Sequence, residues 1–153
     1  MDKIDRKILN IVQEDSRRSS AEIAKAVGVS VSTANERVRK LTANGYIKAW
    51  QAVLEPEKVG AGLCAFLFID MDYQGEAEAC AALSALEEVQ ELHHISGAHS
   101  YMVKVRVADT AALQTVLSTK IKPLAAVLRT ESMLVLHSVK DTPKMKIAKN
   151  EKS

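Results

Sequence analysis

A closely spaced series of helix-boundary residues near the N-terminus restricts the fold more than any other feature. Ser19, followed three residues later by Glu22, is the capping-box pattern that begins a helix. Gly28 can adopt the left-handed conformation that ends a helix, and Ser30 can cap the start of the next one. The spacing therefore predicts two short helices joined by a tight turn. Over residues 21–40 this arrangement is the helix-turn-helix pattern.

An amphipathic helix precedes this pair, since apolar residues recur on one face from a start near Asp2. Asn44 and Gly45 mark the end of the last of the three helices. The inward positions of the three helices are Ile4, Ile8, Ile11 and Val12, then Ile23, Ala24 and Val27, then Ala34, Val38 and Leu41. These positions predict a small three-helix core.

The outward face of the third predicted helix carries residue types that read and hold DNA. Short polar side chains at its start can hydrogen bond to base edges, and Glu36 can accept a hydrogen bond from cytosine. Cationic side chains further along the helix can neutralise phosphates. A three-helix bundle with a solvated polar face is the alternative interpretation. The candidate DNA-binding residues are Ser30, Ser32, Thr33, Asn35, Glu36, Arg37, Arg39 and Lys40.

Charge is distributed unevenly along the chain, whose formal net charge is +2. Residues 1–50 carry 10 Lys/Arg against 6 Asp/Glu, and residues 51–139 carry 6 against 11. Residues 140–153 carry 5 Lys/Arg against 2 Asp/Glu. A basic N-terminal third on an acidic body indicates an anionic partner for that third. The Lys-rich end, which contains Pro143, is expected to be a flexible tail, with nonspecific DNA contact as the alternative.

Beyond Gly45 the sequence indicates alternating strands and helices. Tyr46–Leu54 is predicted to form a short strand, and Pro56 together with Gly60 and Gly62 marks a break in regular structure. The elements predicted after this break are a strand at 63–72, a helix from about residue 75, a strand at 89–96, a strand at 101–107, a helix between Asp109 and Pro123, and a strand at 127–139.

The order βαββαβ predicts a ferredoxin-like antiparallel sheet with both helices on one face. The other face would be uncovered in a single chain, and a symmetric partner is the usual cover. The expected fold class is therefore α+β. It consists of an N-terminal winged helix-turn-helix, all-α with a short β segment, and a C-terminal ferredoxin-like domain.

Composition and apolar runs restrict the class of protein. Hydrophobic residues make up 47% and charged residues 26%, which is ordinary for a globular chain. The longest apolar stretch, residues 63–69, is far shorter than the ~20 residues that span a membrane. The first residues lack the apolar core of an export signal. We therefore expect a cytoplasmic protein that has no membrane partner.

No pattern of catalytic or metal-binding residues stands out. Cys64 and Cys80 are too few for a disulfide framework or a zinc site and are expected to be reduced core thiols. No Gly-rich phosphate loop occurs. The histidines lack further ligands at metal spacing and are expected to be structural: His93, His94, His99 and His137. We expect no enzyme activity, no cofactor and no metal site.

Short motifs along nearly the whole chain resemble those of the Lrp/AsnC (feast/famine) transcription regulators, with AsnC-like features. They occur in the family's order and spacing, from the first helix to the last strand. The motifs are residues 4–9, 22–25, 27–30, 37–41, 44–47, the hinge 56–60, the turn at Ser96-Gly97, the strand 101–105, and Thr130-Glu131-Ser132. The resemblance implies domains at 1–50 for DNA binding, 51–62 as a hinge and 63–139 for effector binding and oligomerisation, with a tail at 140–153.

The resemblance also implies partners. Family proteins bind pseudo-palindromic promoter DNA as homodimers joined through their C-terminal sheets, and they often assemble further to tetramers or octamers. A small amino acid or related metabolite is expected to bind near the turn at Gly97 and the last strand. The implied effector-binding residues are Gly97, Ala98, His99, Ser100, Tyr101, Thr130 and Ser132.

The turn departs from the pattern Gly-x-Tyr-Asp that many members of the family have. Here it is Gly97-Ala98-His99-Ser100, so it contains no carboxylate. His99 and Ser100 can hydrogen bond a carboxylate or an amide, whereas an ammonium group needs an acidic partner. Glu131 is the hypothetical candidate for that partner, and a plain β-turn without a ligand is the alternative interpretation.

Taken together, these features predict a sequence-specific DNA-binding transcription regulator whose assembly and DNA affinity respond to a small amino acid or related metabolite. Two alternatives remain from the sequence. One is an architectural DNA-binding protein without an effector. The other is an enzyme on the same scaffold, similar to relatives implicated in tetrapyrrole decarboxylation.

Overall fold

The structure is a computed structural model that describes residues 1–148. The chain forms two compact units. The N-terminal unit comprises Met1–Val53 together with the segment that starts at Lys140, and the sheet unit comprises Leu54–Val139. The predicted tail includes residues 149–153, which lie outside the described residues. No helix in the described part of the chain is long and apolar enough to cross a membrane.

The N-terminal unit contains the three predicted helices, α1 (Lys3–Glu14), α2 (Ser20–Val27) and α3 (Val31–Ala43). Their starts are held by side-chain caps, because Asp2 forms a capping box with Asp5 and Ser19 forms one with Glu22. Ser30 accepts a hydrogen bond from the Thr33 backbone N–H at the start of α3. Gly28 has φ +76° and ends α2 in the left-handed conformation. The capping residues predicted from the sequence are confirmed.

Apolar residues from all three helices form the core of this unit. Ala34 is completely buried, so a larger side chain at this position would overpack the core and separate the helices. Full burial of Ile8 alone contributes about 1.5–3 kcal/mol. The buried members are Ile8, Val12, Ile23, Ala24, Ala34 and Leu41.

The strand predicted over residues 46–54 does not form. The backbone N–H groups of Tyr46 and Ile47 both donate to the carbonyl of Leu41, which folds the chain back on the end of α3. Residues 48–55 then have no regular structure before a short 3₁₀ turn at Pro56–Val59. A strand needs the backbone of a neighbouring strand, and within residues 1–148 the only sheet is the four-stranded one of the other unit.

The C-terminal segment contacts the last turn of α1. The Gln13 amide forms two hydrogen bonds with the backbone of Met145: Nε2 donates to the carbonyl at 2.9 Å, and Oε1 accepts from the N–H at 3.0 Å. Lys144 pairs with Glu14, and this pairing lowers the pKa of the Glu14 carboxyl. Lys144 and Met145, which belong to the predicted tail, are thus held against α1. Flexibility of the tail as a whole stays a prediction.

The sheet unit has the predicted βαββαβ order. All its strand pairs are antiparallel and follow the spatial order β2-β3-β1-β4, so β1 lies between β3 and β4. A π-helical turn at Leu117–Ile121 continues the second helix. The elements are β1 (Leu63–Met71), α4 (Glu76–Ser84), β2 (Val89–His94), β3 (Tyr101–Val107), α5 (Thr110–Val116) and β4 (Val127–Leu134).

Side chains alternate between two faces of this sheet. On the helix face, Leu67 and Val103 are fully buried in a core shared with α4, α5 and the π-helical turn. The alternate residues form what we call the outer face, which points away from both helices. Its residues include Phe66, Phe68 and Asp70 on β1, Met102 and Lys104 on β3, and Glu131 and Met133 on β4.

β4 ends at Leu134, whereas the sequence predicts a strand as far as Val139. Its partner β1 begins at Leu63, and the last backbone bond between them runs from the Val135 N–H to the carbonyl of Cys64. Beyond Cys64 only Leu63 of β1 remains, and it pairs with Val107 of β3 alone. Leu136 and Val139 are consequently 98% and 91% exposed.

Candidate nucleic-acid interface and ligand turn

The eight candidate DNA-binding residues all lie on α3 or at its N-cap. Ser32, Glu36, Arg39 and Lys40 follow one helical stripe, because residues three or four positions apart are neighbours on a helix. Several candidates also line a groove of about 580 Å³ within the N-terminal unit. They are Ser32, Thr33, Glu36, Arg37 and Lys40.

Hydroxyl groups cluster at the start of α3. The Ser30 Oγ lies 3.0 Å from the Ser32 Oγ and 2.8 Å from the Thr33 Oγ1, and it also accepts the Thr33 backbone N–H at 3.1 Å. Ser30 is therefore committed to capping the helix. Ser32 and Thr33 are exposed, and their hydroxyls can exchange their contacts with Ser30 for contacts with base edges.

Asn35 is placed by a contact between α2 and α3. The Ser20 hydroxyl donates to the Asn35 Oδ1. This bond uses the amide oxygen alone, so the amide NH₂ group can still donate to a base or a phosphate. The start of α2 thus orients one of the candidate residues of α3.

Glu36 holds both of the exposed cations of α3. The Arg39 Nε and Nη2 donate to its two carboxylate oxygens at 2.9 and 2.8 Å, and the Lys40 Nζ lies 3.4 Å from Oε1. The hydrogen bonds from Arg39, with a smaller contribution from Lys40, lower the pKa of Glu36 to about 2. Glu36 is consequently ionised at neutral pH.

Arg37 faces α1. Its Nη1 donates to the Asp2 Oδ2 at 2.6 Å and to the Asp5 Oδ1 at 2.8 Å, and its side chain is 28% exposed. The bonds to the two carboxylates raise the pKa of the guanidinium. The geometry thus gives Arg37 a structural contact between α3 and the start of α1. The DNA contact that the sequence predicts for Arg37 and this structural role are separated by the variant described below.

The turn between β2 and β3 closes through a bond from the Ile95 N–H to the carbonyl of Ser100, at 2.9 Å. Gly97 has φ +121°, a conformation that other residues rarely adopt. His99 then lies against the outer face. Its Nδ1 is 3.0 Å from the Asp70 Oδ1, and its Nε2 is 3.3 Å from the Glu131 Oε2.

Phe68 completes this arrangement, because its ring centroid lies 5.4 Å from that of His99. We call His99, Asp70, Glu131 and Phe68 the His99 cluster. The carboxylates that the turn itself lacks are therefore supplied by β1 and β4. Glu131 was the hypothetical candidate from the sequence, whereas Asp70 and Phe68 were missed. Period-two alternation places both on one face of β1, but nothing local in the sequence indicates that His99 meets them.

The predicted effector-binding residues do not all lie together. Tyr101 and Thr130 flank Ile69 in the register, and Ser132 is opposite Leu67, so these three belong to the helix face. His99 lies on the outer face. The Tyr101 hydroxyl donates to the Glu76 Oε1 at 2.6 Å. Hydrogen bonding with Cys80 and then Glu76 raises the pKa of Tyr101.

The His99 cluster suits a cationic group, because two carboxylates face a single imidazole on a half-buried surface. The ammonium group of an amino acid has this chemistry. Within residues 1–148, no group of three or more His, Cys, Asp or Glu side chains has an arrangement that could hold a metal ion.

Both units match known sequence families. Residues 1–48 match the family described as winged helix-turn-helix DNA-binding, and residues 64–145 match the Lrp/AsnC ligand binding domain. The chain is 37% identical over 145 residues to a proline dehydrogenase transcriptional activator from Rhizobium radiobacter, covering 93% of each. It is 36% identical over 151 residues to the leucine-responsive regulatory protein of Salmonella typhimurium, covering 96% of this chain and 92% of that one.

Solved structures with the same fold include a Neisseria meningitidis transcriptional regulator in complex with L-methionine. Its TM-score is 0.92 at 26% identity, and the match covers 95% of this chain and 96% of that one. The structure of Escherichia coli AsnC matches with a TM-score of 0.85 at 32% identity, covering 97% of each chain.

We predict that Arg37→Ala destabilises the N-terminal unit and leaves the salt dependence of DNA binding nearly unchanged. The loss of both bonds to Asp2 and Asp5 should lower the Tm by roughly 2–5 °C at pH 7. The backbone N–H of Asp5 and then Arg37 lower the pKa of Asp2 below 3.8, so this stabilisation is present above that pH and is lost as the pH falls through the lowered value.

Thermal unfolding of wild type and variant at pH 7 and near pH 2 measures this difference, which should shrink at the lower pH. Arg17→Ala is the matched control, because the Arg17 side chain is 92% exposed. A normal Tm together with a flatter salt dependence of DNA binding would show that Arg37 contacts DNA instead.

Proposed function

Because this chain belongs to the Lrp/AsnC family of transcription regulators, we propose that it binds promoter DNA and that a small amino acid or related metabolite controls this binding. The observation that carries the DNA-binding half is the exposed stripe of polar and cationic side chains on the capped helix α3. It lies within the region that matches the winged helix-turn-helix DNA-binding family.

In this proposal α3 is the recognition helix and enters the major groove. Ser32, Thr33 and Asn35 contact base edges near its start. Arg39 and Lys40 contact phosphates further along, where they supply affinity and orientation rather than sequence information. Ser30 contributes through the cap, which fixes the direction in which α3 begins.

We propose that the His99 cluster is the effector site. An amino-acid ammonium group would bind between Asp70 and Glu131, and His99 or Ser100 would bind the carboxylate or a side-chain amide. Support comes from the paired carboxylates beside His99, within the region that matches the ligand binding domain. The Neisseria relative was solved with L-methionine, an amino acid of this chemical type.

We further propose that two copies pair through their outer faces. Phe66, Phe68, Met102 and Met133 form an apolar group on this face, and the helices of the same chain pack on the opposite side. A twofold axis would make each outer face the cover of the other. Assembly of dimers to a tetramer or octamer is the further expectation. The His99 cluster shares this face, so ligand binding and assembly would be coupled.

One observation favours a second candidate, an architectural DNA-binding protein without an effector. His99 already contacts both carboxylates of the cluster, so the imidazole itself satisfies them. A turn closed in this way needs no ligand. Catalysis is not favoured, since the relatives named above are transcription regulators.

For the DNA-binding half, we predict that the purified protein prefers its own promoter region over unrelated duplex at physiological salt. Arg39→Ala and Lys40→Ala should weaken binding to all sequences similarly and reduce the salt slope by about 1 per lost phosphate contact. Fluorescence anisotropy over a salt series measures both effects. Lys58→Ala, which removes an exposed cation from the sheet unit, is the control. Absence of any sequence preference in the wild type would contradict the proposal.

For the effector half, we predict that one of the standard amino acids raises the Tm progressively with its concentration. Stabilisation should reach about 2.7 kcal/mol at roughly 100 times Kd. Asp70→Asn should abolish the rise, because it removes a negative partner of the ammonium group, whereas Asp72→Asn should keep it. A thermal-shift screen tests this prediction. No response to any amino acid would favour the architectural protein.

For the assembly, we predict that Phe66→Glu converts the oligomer to a monomer. The change removes a ring from the apolar group and places a carboxylate, with Lys104 opposite it on β3, in the proposed interface. Light scattering after size exclusion measures the mass, and circular dichroism confirms folding. Met133→Glu should act similarly. Tyr73→Glu, at a loop residue that is 89% exposed, is the control. A wild-type monomer, or an oligomer that survives both outer-face variants, would refute this interface.

A further inference from the structure

Every cation of α3 faces a carboxylate of the same unit. Arg37 is bonded to Asp2 and Asp5, whereas Arg39 and Lys40 share Glu36. The Arg39 bonds are bidentate, with separate nitrogens on separate oxygens, which is the geometry that guanidinium also adopts with a phosphate. Glu36 therefore occupies the groups that the proposed function assigns to the DNA backbone.

We propose that Glu36 determines specificity by competing with DNA phosphates for Arg39 and Lys40. Release of the two cations to phosphates costs little free energy only at a site where a cytosine becomes the new partner of Glu36. This inference rests on the proposed DNA binding. It adds that the acidic residue of α3 selects against the wrong sequences as well as contacting the right one.

The competition follows from the charges. Nonspecific binding depends almost entirely on cations that neutralise phosphates. When a phosphate takes Arg39 from Glu36, the carboxylate loses two charge-assisted hydrogen bonds and faces an anion. Neither effect depends on the base sequence, so each weakens binding at every site that offers Glu36 no new donor.

A correct site can replace what Glu36 loses. The N4 amino group of cytosine is the donor in the major groove that suits a carboxylate. Bound there, Glu36 regains a partner while Arg39 and Lys40 remain on phosphates. Discrimination is the difference in binding free energy between the complex with a correct site and the complex with a wrong one. It includes the cost of leaving Glu36 without a donor in the wrong complex.

A purely structural role makes a different prediction. Pairs three and four residues apart stabilise an exposed helix by a small amount, and their loss would lower the Tm slightly. They would not change the ratio of affinities for two duplexes. The affinity ratio and the salt slope therefore separate the two roles.

The test uses the full chain, a duplex that the wild type has selected from a randomised pool, and a scrambled duplex of the same composition. We expect Glu36→Gln to bind the scrambled duplex about three- to tenfold more tightly than the wild type, with a salt slope steeper by about 1. The ratio of affinities for the selected and scrambled duplexes should fall by at least the same factor. Glu78→Gln, which removes an exposed carboxylate from α4, gives the same change in net charge and should leave both values unchanged.

A base substitution provides the second arm. In the selected duplex, each C·G pair is changed in turn to T·A, which replaces the N4 donor by an acceptor. At one position the wild type should lose about tenfold in affinity, whereas Glu36→Gln should lose less than twofold, because the uncharged amide contains a donor as well as an acceptor.

The outcomes separate this inference from the proposed function. If the wild type selects no duplex from the pool, the proposed DNA binding fails. If the wild type selects a duplex but Glu36→Gln keeps the same affinity ratio and salt slope, DNA binding stands and the role of Glu36 is refuted. Equal tightening by Glu78→Gln would also refute it, since net charge alone would then explain the effect.

Discussion

The alternation of side chains along β1 is the constraint on which the sheet unit depends. β1 pairs with both β3 and β4, and its residues 65–69 have a neighbour on either side. Ala65, Leu67 and Ile69 point into the core beneath the helices, and this burial fixes the register, because a slip of one residue would exchange the two faces. Phe66, Phe68 and Asp70 are consequently placed on the outer face. The core thus determines which aromatic rings lie on the outer face and which carboxylate contacts His99.

In the N-terminal unit the corresponding constraint is local. Each helix start is held by a side chain a few residues away, and Ala34 lets the helices approach closely. In the chain without DNA, the cations of α3 pair with carboxylates of the same unit. Arg37 does so across the helices with Asp2, and Arg39 does so along the helix with Glu36. The first pairing supports the fold, whereas the second remains on the exposed face where DNA is proposed to bind.

The range over which an interaction acts explains what could be predicted from the sequence. Capping boxes at Ser19 and turn glycines such as Gly28 act over a few residues, so the helices and their starts were predicted correctly. The βαββαβ order of elements was also predicted correctly, because the period of apolar residues changes between strands and helices. The strand predicted at 46–54 was wrong, since apolar residues alone do not supply a pairing partner. The contacts of His99 with Asp70 and of Arg37 with Asp2 join residues about thirty positions apart, beyond the reach of local patterns.

The proposed effector site and the proposed DNA interface share one physical property. In the chain without ligands, His99 contacts two carboxylates and Glu36 contacts two cations, so neither site is an empty receptor. Binding at either site must exchange one set of charge-assisted bonds for another. The net gain in binding free energy is therefore small compared with the strength of each bond. A small net gain makes binding depend on how well the new partner matches the geometry of the old one. Charge pairing within the free protein therefore favours discrimination between ligands over tight binding to all of them.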